Sequence, residues 1–294
     1  MLIFLKEREE NVVRKFKLVN EKGQEYSLMD IENYCLLTEP AGLGYSYSTE
    51  YEQLNYQFLT NLRKIEQGVI SGIANFINYD NFFDFGNFVE TAQKLKFVYE
   101  IPFKNKSVTY YKDVNIKSIG KSEKQKNGII SETVEFDCLS LWYEQNETIF
   151  KIEAYEDEMR YNYRWNSRYI DYNTRAIQFD NKGHVEAPFQ VEINGFVQNP
   201  TIAIFVDDEE YASIKVPITI NEFEKLLYSS KSGEIYIQKQ NTDGTKENLW
   251  KKEYIDITKQ NIFELPIGVS EIRLTADDDV LNAKLTIFPQ YKVV

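Results

Sequence analysis

The chain has 294 residues, a formal net charge of −12, 43% hydrophobic and 27% charged residues, a balance that builds buried cores and excludes wholesale disorder. The acidic excess argues against a general nucleic-acid or anionic-membrane binder. Two cysteines, Cys35 and Cys138, without a CxxC partner exclude a disulfide framework and a cysteine zinc cluster.

The opening "MLIFLKEREE" reaches charged residues too soon for a signal peptide, and no later run has the length of a membrane span. The expectation is a soluble protein folded in the cytoplasm. "VVRKFKLVNEKGQEYSL" predicts a hairpin, with Phe16 and Leu18 facing one way, Lys15 and Lys17 the other, and a turn from Asn20 to Gly23. Residues 34–77 read as strands punctuated by Pro40, Gly42, Gly44, Gly68 and Gly72. "DNFFDFGNFVETAQK" predicts the main helix, with Phe82, Phe85, Phe88, Val89 and Ala92 on one face. Its acidic start, and Lys94 and Lys96 near its end, complement the helix dipole. Gly86 in mid-helix costs about 1 kcal/mol against alanine, which predicts a close backbone contact there. Residues 97–119 return to strands, and "GKSEKQKNG" is a charged turn.

After Cys138 the pattern is short alternating strands. They centre on Val191 and Ile193, Ile202 to Val206, Ile214 to Ile220, Ile235 and Ile237, Ile255 and Ile257, Ile272 and Leu274, and Leu285 and Ile287. Turn residues separate them, which predicts a β-sandwich. "NEFEKLL" reads equally as a helical turn or a strand. The first 135 residues carry 17 basic and 19 acidic side chains and the remainder 17 and 27, so the halves present different surfaces. The reading is therefore a mainly β fold with one main helix, divided into domains 1–135 and 136–294.

The search for chemistry finds no catalytic, cofactor or metal site. In "GLGYSYSTEYEQL" a phosphate loop would need more glycines, a following helix and a lysine. The better reading is glycines at a close backbone approach, followed by a strand with one aromatic face. His184, the sole histidine, follows the "DNKG" turn and reads as a solvated loop residue. Asp207 to Glu210 and Asp277 to Asp279 lack the spacing and glycine of a calcium-binding EF-hand loop. Carboxylates are abundant, but a glycosidase pair needs a defined separation across a cleft. "MRYNYRWNSRY" places Tyr161, Tyr163 and Trp165 on one strand face and Arg164 on the other. Glu153, Glu156, Asp157 and Glu158 upstream cancel its positive potential, so a protein contact surface outweighs single-strand binding. Trp142, Trp165 and Trp250 support an alternative, a carbohydrate-binding sandwich that contacts a host cell wall.

Four stretches in order resemble the distal tail protein family of long-tailed phages of Gram-positive bacteria. They are "KLVNEKGQEYSL", then "GLGYSYSTEYEQLNYQF" with its sequel "GVISGIANFINYDNFFDFGNFV", then "TVEFDCLSLWYE", and finally "HVEAPFQVEINGFVQNPTIAIF". "GF" stands at 195 and 196 where the family has glycine-proline. The resemblance implies an N-terminal belt domain that assembles into a six-membered ring and a galectin-like C-terminal sandwich around it. It implies a non-enzymatic adaptor at the distal end of the virion tail, without cofactor. The tail tube would lie on one side, the hub with its tail-associated lysin on the other, receptor-binding proteins around the rim, and an open bore for DNA. Carried over are Gly42, Leu43, Gly44, Gly72 and Phe76 as belt positions, and Gly195, Asn199 and Pro200 where the sandwich begins.

Overall fold

The computed structural model of the protein describes residues 14–103, 106–123, 128–152, 176–251, 253–256, 258–277 and 281–294. The chain divides into two compact units, residues 1–144 with 291–294, and residues 145–290. A division after residue 135, as the charge step suggested, would cut a strand whose last three residues still pair with its neighbours. Backbone hydrogen bonding, which the charge count does not see, sets the boundary.

Unit 1 contains β1 (Lys15–Asn20), β2 (Glu25–Ser27), β3 (Leu36–Ala41), β4 (Tyr47–Leu54), β5 (Gln57–Ile65), β6 (Val69–Phe76), α1 (Tyr79–Thr91), β7 (Leu95–Phe103), β8 (Lys106–Ile119), β9 (Ile130–Cys138) and β10 (Trp142–Tyr143). The main sheet runs β2-β1-β7-β8-β9-β6-β3, with antiparallel neighbours throughout. The predicted hairpin is β1–β2, with Phe16 and Leu18 buried. Strict alternation in β6 and β9 turns Ile70, Ala74, Phe76, Ile130, Val134 and Phe136 into one core, as a period of two requires.

That core is closed by α1. Asn78 caps it, its Oδ1 accepting from the Asn81 amide at 2.7 Å, which satisfies one of the free N–H groups of the first turn. Phe85 and Val89 are buried, and Phe82, Phe88 and Ala92 pack beside them, as their spacing predicts. Two helix expectations fail. The helix ends at Thr91, so Lys94 and Lys96 lie beyond it and no base occupies its last turn. A Cβ built on Gly86 meets nothing within 4 Å, so this glycine serves no close contact and only lowers helix propensity.

Unit 2 contains β11 (Asn146–Ile152), β12 (Ala176–Asn181), β13 (Phe189–Asn194), β14 (Val197–Gln198), β15 (Thr201–Val206), β16 (Glu209–Lys215), β17 (Thr219–Ile220), β18 (Lys225–Ser229), β19 (Tyr236–Gln240), β20 (Lys246–Asn248), β21 (Gly268–Thr275) and β22 (Leu281–Ile287). One sheet runs β11-β22-β13-β18-β19-β20 and a second β12-β21-β15-β16. Val191, Ile193, Leu226 and Leu285 from the first share a core with Ile202, Ile204, Ile272 and Leu274 from the second. Unit 2 is a sandwich of two sheets.

Local chemistry altered two predicted strands and decided a third stretch that the sequence left open. The run from Ile214 to Ile220 breaks at Val216–Ile218, where Pro217 cannot donate to a ladder and the Ile218 amide turns back onto the Val216 carbonyl. Ile255 lies in a turn, its amide bonded to the Lys251 carbonyl, yet its side chain enters the core; its partner Ile257 is outside the described residues. "NEFEKLL" is a turn at Asn221–Glu224 followed by β18. Asn181 holds the "DNKG" turn: it is 1% exposed, its Nδ2 donates to the Val185 and Leu265 carbonyls at 3.0 and 3.2 Å, and its Oδ1 accepts from the Gly183 amide at 3.0 Å. Asn181→Ala is expected to cost about 2–3 kcal/mol of unit 2 stability, because buried partners lose their bonds. Urea denaturation checks this, and a shift below about 0.5 kcal/mol would contradict it.

Candidate assembly surface

The glycine-leucine-glycine stretch joins the body of unit 1 to an exposed arm. Gly42 has φ +77°, and a Cβ there would sit 1.8 Å from the Val69 carbonyl oxygen, so no other residue fits without moving backbone. Leu43 packs against the core, and its carbonyl accepts from Trp142 Nε1 at 2.8 Å. Gly44 is unlike Gly42: nothing lies within 4 Å of its Cβ position. The close-approach reading of the pair therefore holds for Gly42 alone. Gly72 on β6 is also constrained, with Leu37 Cδ1 2.8 Å and the Thr38 carbonyl oxygen 3.0 Å from its Cβ position. Phe76, four residues on, is fully buried.

Beyond the loop, among the described residues β4 and β5 pair only with each other. Every residue of β5 is exposed, as is β4 from Glu50 onward. Asn55, at φ +55°, turns the hairpin and leaves Tyr56 99% exposed at its tip. Tyr51 is 63%, Leu54 59% and Phe58 67% exposed. The register puts Tyr47, Tyr51, Phe58 and Arg63 on one face and Glu50, Glu52, Leu59 and Leu62 on the other, with a bulge between Glu50 and Tyr51. At the foot, Arg63 stacks 3.8 Å from the Tyr47 ring centroid and Lys292 Nζ donates to Tyr47 Oη at 3.0 Å. That hydrogen bond holds the Tyr47 phenol below its ordinary pKa. An isolated two-stranded hairpin is marginal in water, and a long apolar strand edge invites pairing with another chain. These properties mark the arm as an assembly surface.

The other sequence candidates are scattered. Gly195 has φ +87° at the end of β13. Asn199, at φ +48°, donates to Asp277 Oδ2 at 2.6 Å, and the Pro200 carbonyl accepts from the Val216 amide. These three shape the start of the sandwich. The Asn199 bond holds the Asp277 carboxyl below its ordinary pKa. Tyr161, Tyr163, Arg164 and Trp165 lie outside the described residues. The tryptophan set does not form a surface: Trp142 is fully buried under Phe97 and Tyr99, whereas Trp250 is half-exposed. A buried ring cannot stack on a sugar, so Trp142 drops out of the carbohydrate reading. His184 is exposed. Among the described residues no group of three or more His, Cys, Asp or Glu side chains is placed to hold a metal ion, and no helix is long and apolar enough to cross a membrane. Cys35 and Cys138 are free and buried, and burial pushes the Cys35 thiol up to about 12.

The sequence reading missed Tyr51, Tyr56, Phe58 and Leu59 as a surface. The signal was present: apolar side chains on both faces of one hairpin, with polar ones interspersed, leave neither face as the inside.

The family model described as the distal tail protein, N-terminal domain, matches residues 15–139. No curated protein sequence matches the chain. Among solved structures, a chain of the phage P2 baseplate in its activated conformation with calcium is similar at TM-score 0.65 and 19% identity, over 96% of this chain and 100% of that one. The crystal structure of SPP1 Dit, titled a paradigm of the hub adsorption apparatus in phages that infect Gram-positive bacteria, is similar at TM-score 0.54 and 11% identity, over 93% and 98%. At such identities the likeness is one of fold, and it spans both units. Residues 15–139 are thus similar to the N-terminal domain of distal tail proteins, and the whole chain shares its fold with proteins of the phage tail and baseplate.

Proposed function

We propose that six copies of this chain close into a ring at the distal end of the tail, unit 1 forming the belt and unit 2 a galectin-like sandwich at the rim. The ring joins the tail tube to the baseplate and anchors the hub with its lysin and the receptor-binding proteins. The reading extends to tails of phages of Gram-positive bacteria, assembled in the host cytoplasm. The observation that carries it is the arm of β4 and β5, apolar on both faces and unpaired at both edges. At about 3.3 Å per residue, β5 reaches roughly 30 Å, enough to lie along a neighbour and contribute to the ~1,600 Å² that a specific interface buries. A contact between one subunit's arm and the next subunit's body is heterologous, and heterologous contacts close into rings when the rotation permits. A net charge of −12 per copy disfavours tight phosphate contacts, so DNA passes the bore without sticking.

Replacing Tyr51, Tyr56 and Phe58 together with serine tests the reading. These side chains are exposed, so melting should shift by no more than about 1 kcal/mol. Self-association should weaken on the order of ten-thousandfold or more, since buried aromatic anchors contribute about 2 kcal/mol or more each. Mass photometry of wild type and variant reads the result. Equal assembly of the two would remove the arm from the interface.

A further inference from the structure

A buried cation lies at the foot of the arm. Lys112 of β8 is 4% exposed. Its Nζ sits 4.7 Å from the Trp142 ring centroid, and its hydrogen-bonding neighbour is the Cys138 thiol. Among the described residues no carboxylate pairs with it. Burial lowers the Lys112 pKa and raises that of the thiol, each disfavouring its charged form. An ammonium without a counter-charge is costly to bury, and a carboxylate brought by a partner would offset that cost. Lys112 lines a cavity of about 460 Å³ together with Gly44, Ile65, Glu66, Cys138 and Lys292. Glu66, the carboxylate in that lining, accepts instead from Ser46 Oγ at 2.6 Å.

The charges of the arm are unevenly distributed along its length. Its outer part carries Glu50 and Glu52 and no base, while its foot carries Arg63 and Lys64 beside Lys112 and Lys292. Glu50 and Glu52 share a face with Leu59 and Leu62, so apolar side chains flank their carboxylates. Resting on the ring reading above, we infer that the cavity at Lys112 receives a carboxylate of the Glu50–Glu52 face from the neighbouring copy's arm. Each acidic arm then closes on the basic foot of the next subunit, which fixes the direction in which subunits follow one another.

The test compares the full chain with Lys112→Met, with Glu50→Gln/Glu52→Gln, and with all three changes combined, by mass photometry across a dilution series and by thermal melting. Methionine keeps the stem of the lysine, and the glutamates are exposed, so all variants should melt no more than a few degrees below wild type. The concentration at which rings dissociate should rise on the order of tenfold in Lys112→Met and in the double variant. The combined variant should be no weaker than the worse of the two, because one contact is lost in each case. Wild-type rings with both sets of variants assembling at the wild-type concentration would overturn the inference and leave the ring standing. Additive losses would also overturn it, by assigning Lys112 and the glutamates to separate contacts. A wild type without rings, alone or in assembled tails, would overturn the ring reading and this inference with it. An independent readout uses the native thiol in the cavity: Glu52→Cys under oxidation should give a ladder of linked subunits that disappears in Glu52→Cys/Cys138→Ser. A ladder that persists without Cys138 would contradict the placement.

Discussion

Gly42→Ala is expected to destabilise unit 1 by about 2–5 kcal/mol, a large effect for one added methyl group. Two costs combine. The positive φ of +77° is worth about 1–2 kcal/mol against an L residue. The added Cβ would lie 1.8 Å from the Val69 carbonyl oxygen, well inside van der Waals contact, so the loop and β6 must separate. Overpacking of this kind costs typically 1–3 kcal/mol. Gly44→Ala supplies the control two residues away, because its Cβ meets nothing within 4 Å; its effect should stay within about 0.5 kcal/mol. Urea denaturation with hydrogen exchange read on β3 and β6 distinguishes them. Equal effects of the two substitutions would mean that the loop does not sit against Val69.

Trp142→Ala is the second large effect, expected at about 3–5 kcal/mol. The ring is fully buried, in edge contact with Phe97 and tilted against Tyr99, and Lys112 lies over it. Its Nε1 holds the Leu43 carbonyl at 2.8 Å, so it ties the foot of the arm to the core. Trp142→Phe keeps most of the packing and removes that donor, for an expected cost of about 1–3 kcal/mol. Both variants should speed proteolysis within residues 45–65 relative to the rest of unit 1, because the anchor of the arm is loosened. Unchanged cleavage there, alongside a normal loss of stability, would show that Trp142 supports the core without positioning the arm.

Much of the fold was legible because its signals are local. The alternation of Phe16 and Leu18, of Ile70 through Phe76, and of Ile202 with Ile204 fixes which face is buried, since a one-residue slip exposes the whole set. The helix face was equally plain. Its end was not, because Lys94 and Lys96 look like a basic last turn while the chain has already left the helix at Thr91. Ile255 misled for a related reason: a β-branched residue in a turn can still reach the core.

The candidate site was less legible. The aromatic richness of the N-terminal half divides into two populations that composition cannot separate. Tyr26, Phe76, Phe85 and Phe97 fill the core, whereas Tyr51, Tyr56 and Phe58 stand in solvent. Telling them apart requires knowing that β4 and β5 find no partner strand among the described residues of their own unit, which is a property of the whole sheet. Lys112 was invisible for the same reason. One lysine among many becomes unusual only when Trp142 and Cys138 are placed around it.

In the proposed ring, another copy of the same chain completes the arm. A cryo-EM reconstruction of the tail's distal end tests it most directly. The account predicts six copies around an open bore, with each β4–β5 arm lying on the body of its neighbour and its acidic face at the neighbour's Lys112. A map in which the arm folds back on its own unit, or stands in solvent between subunits that touch elsewhere, would contradict it.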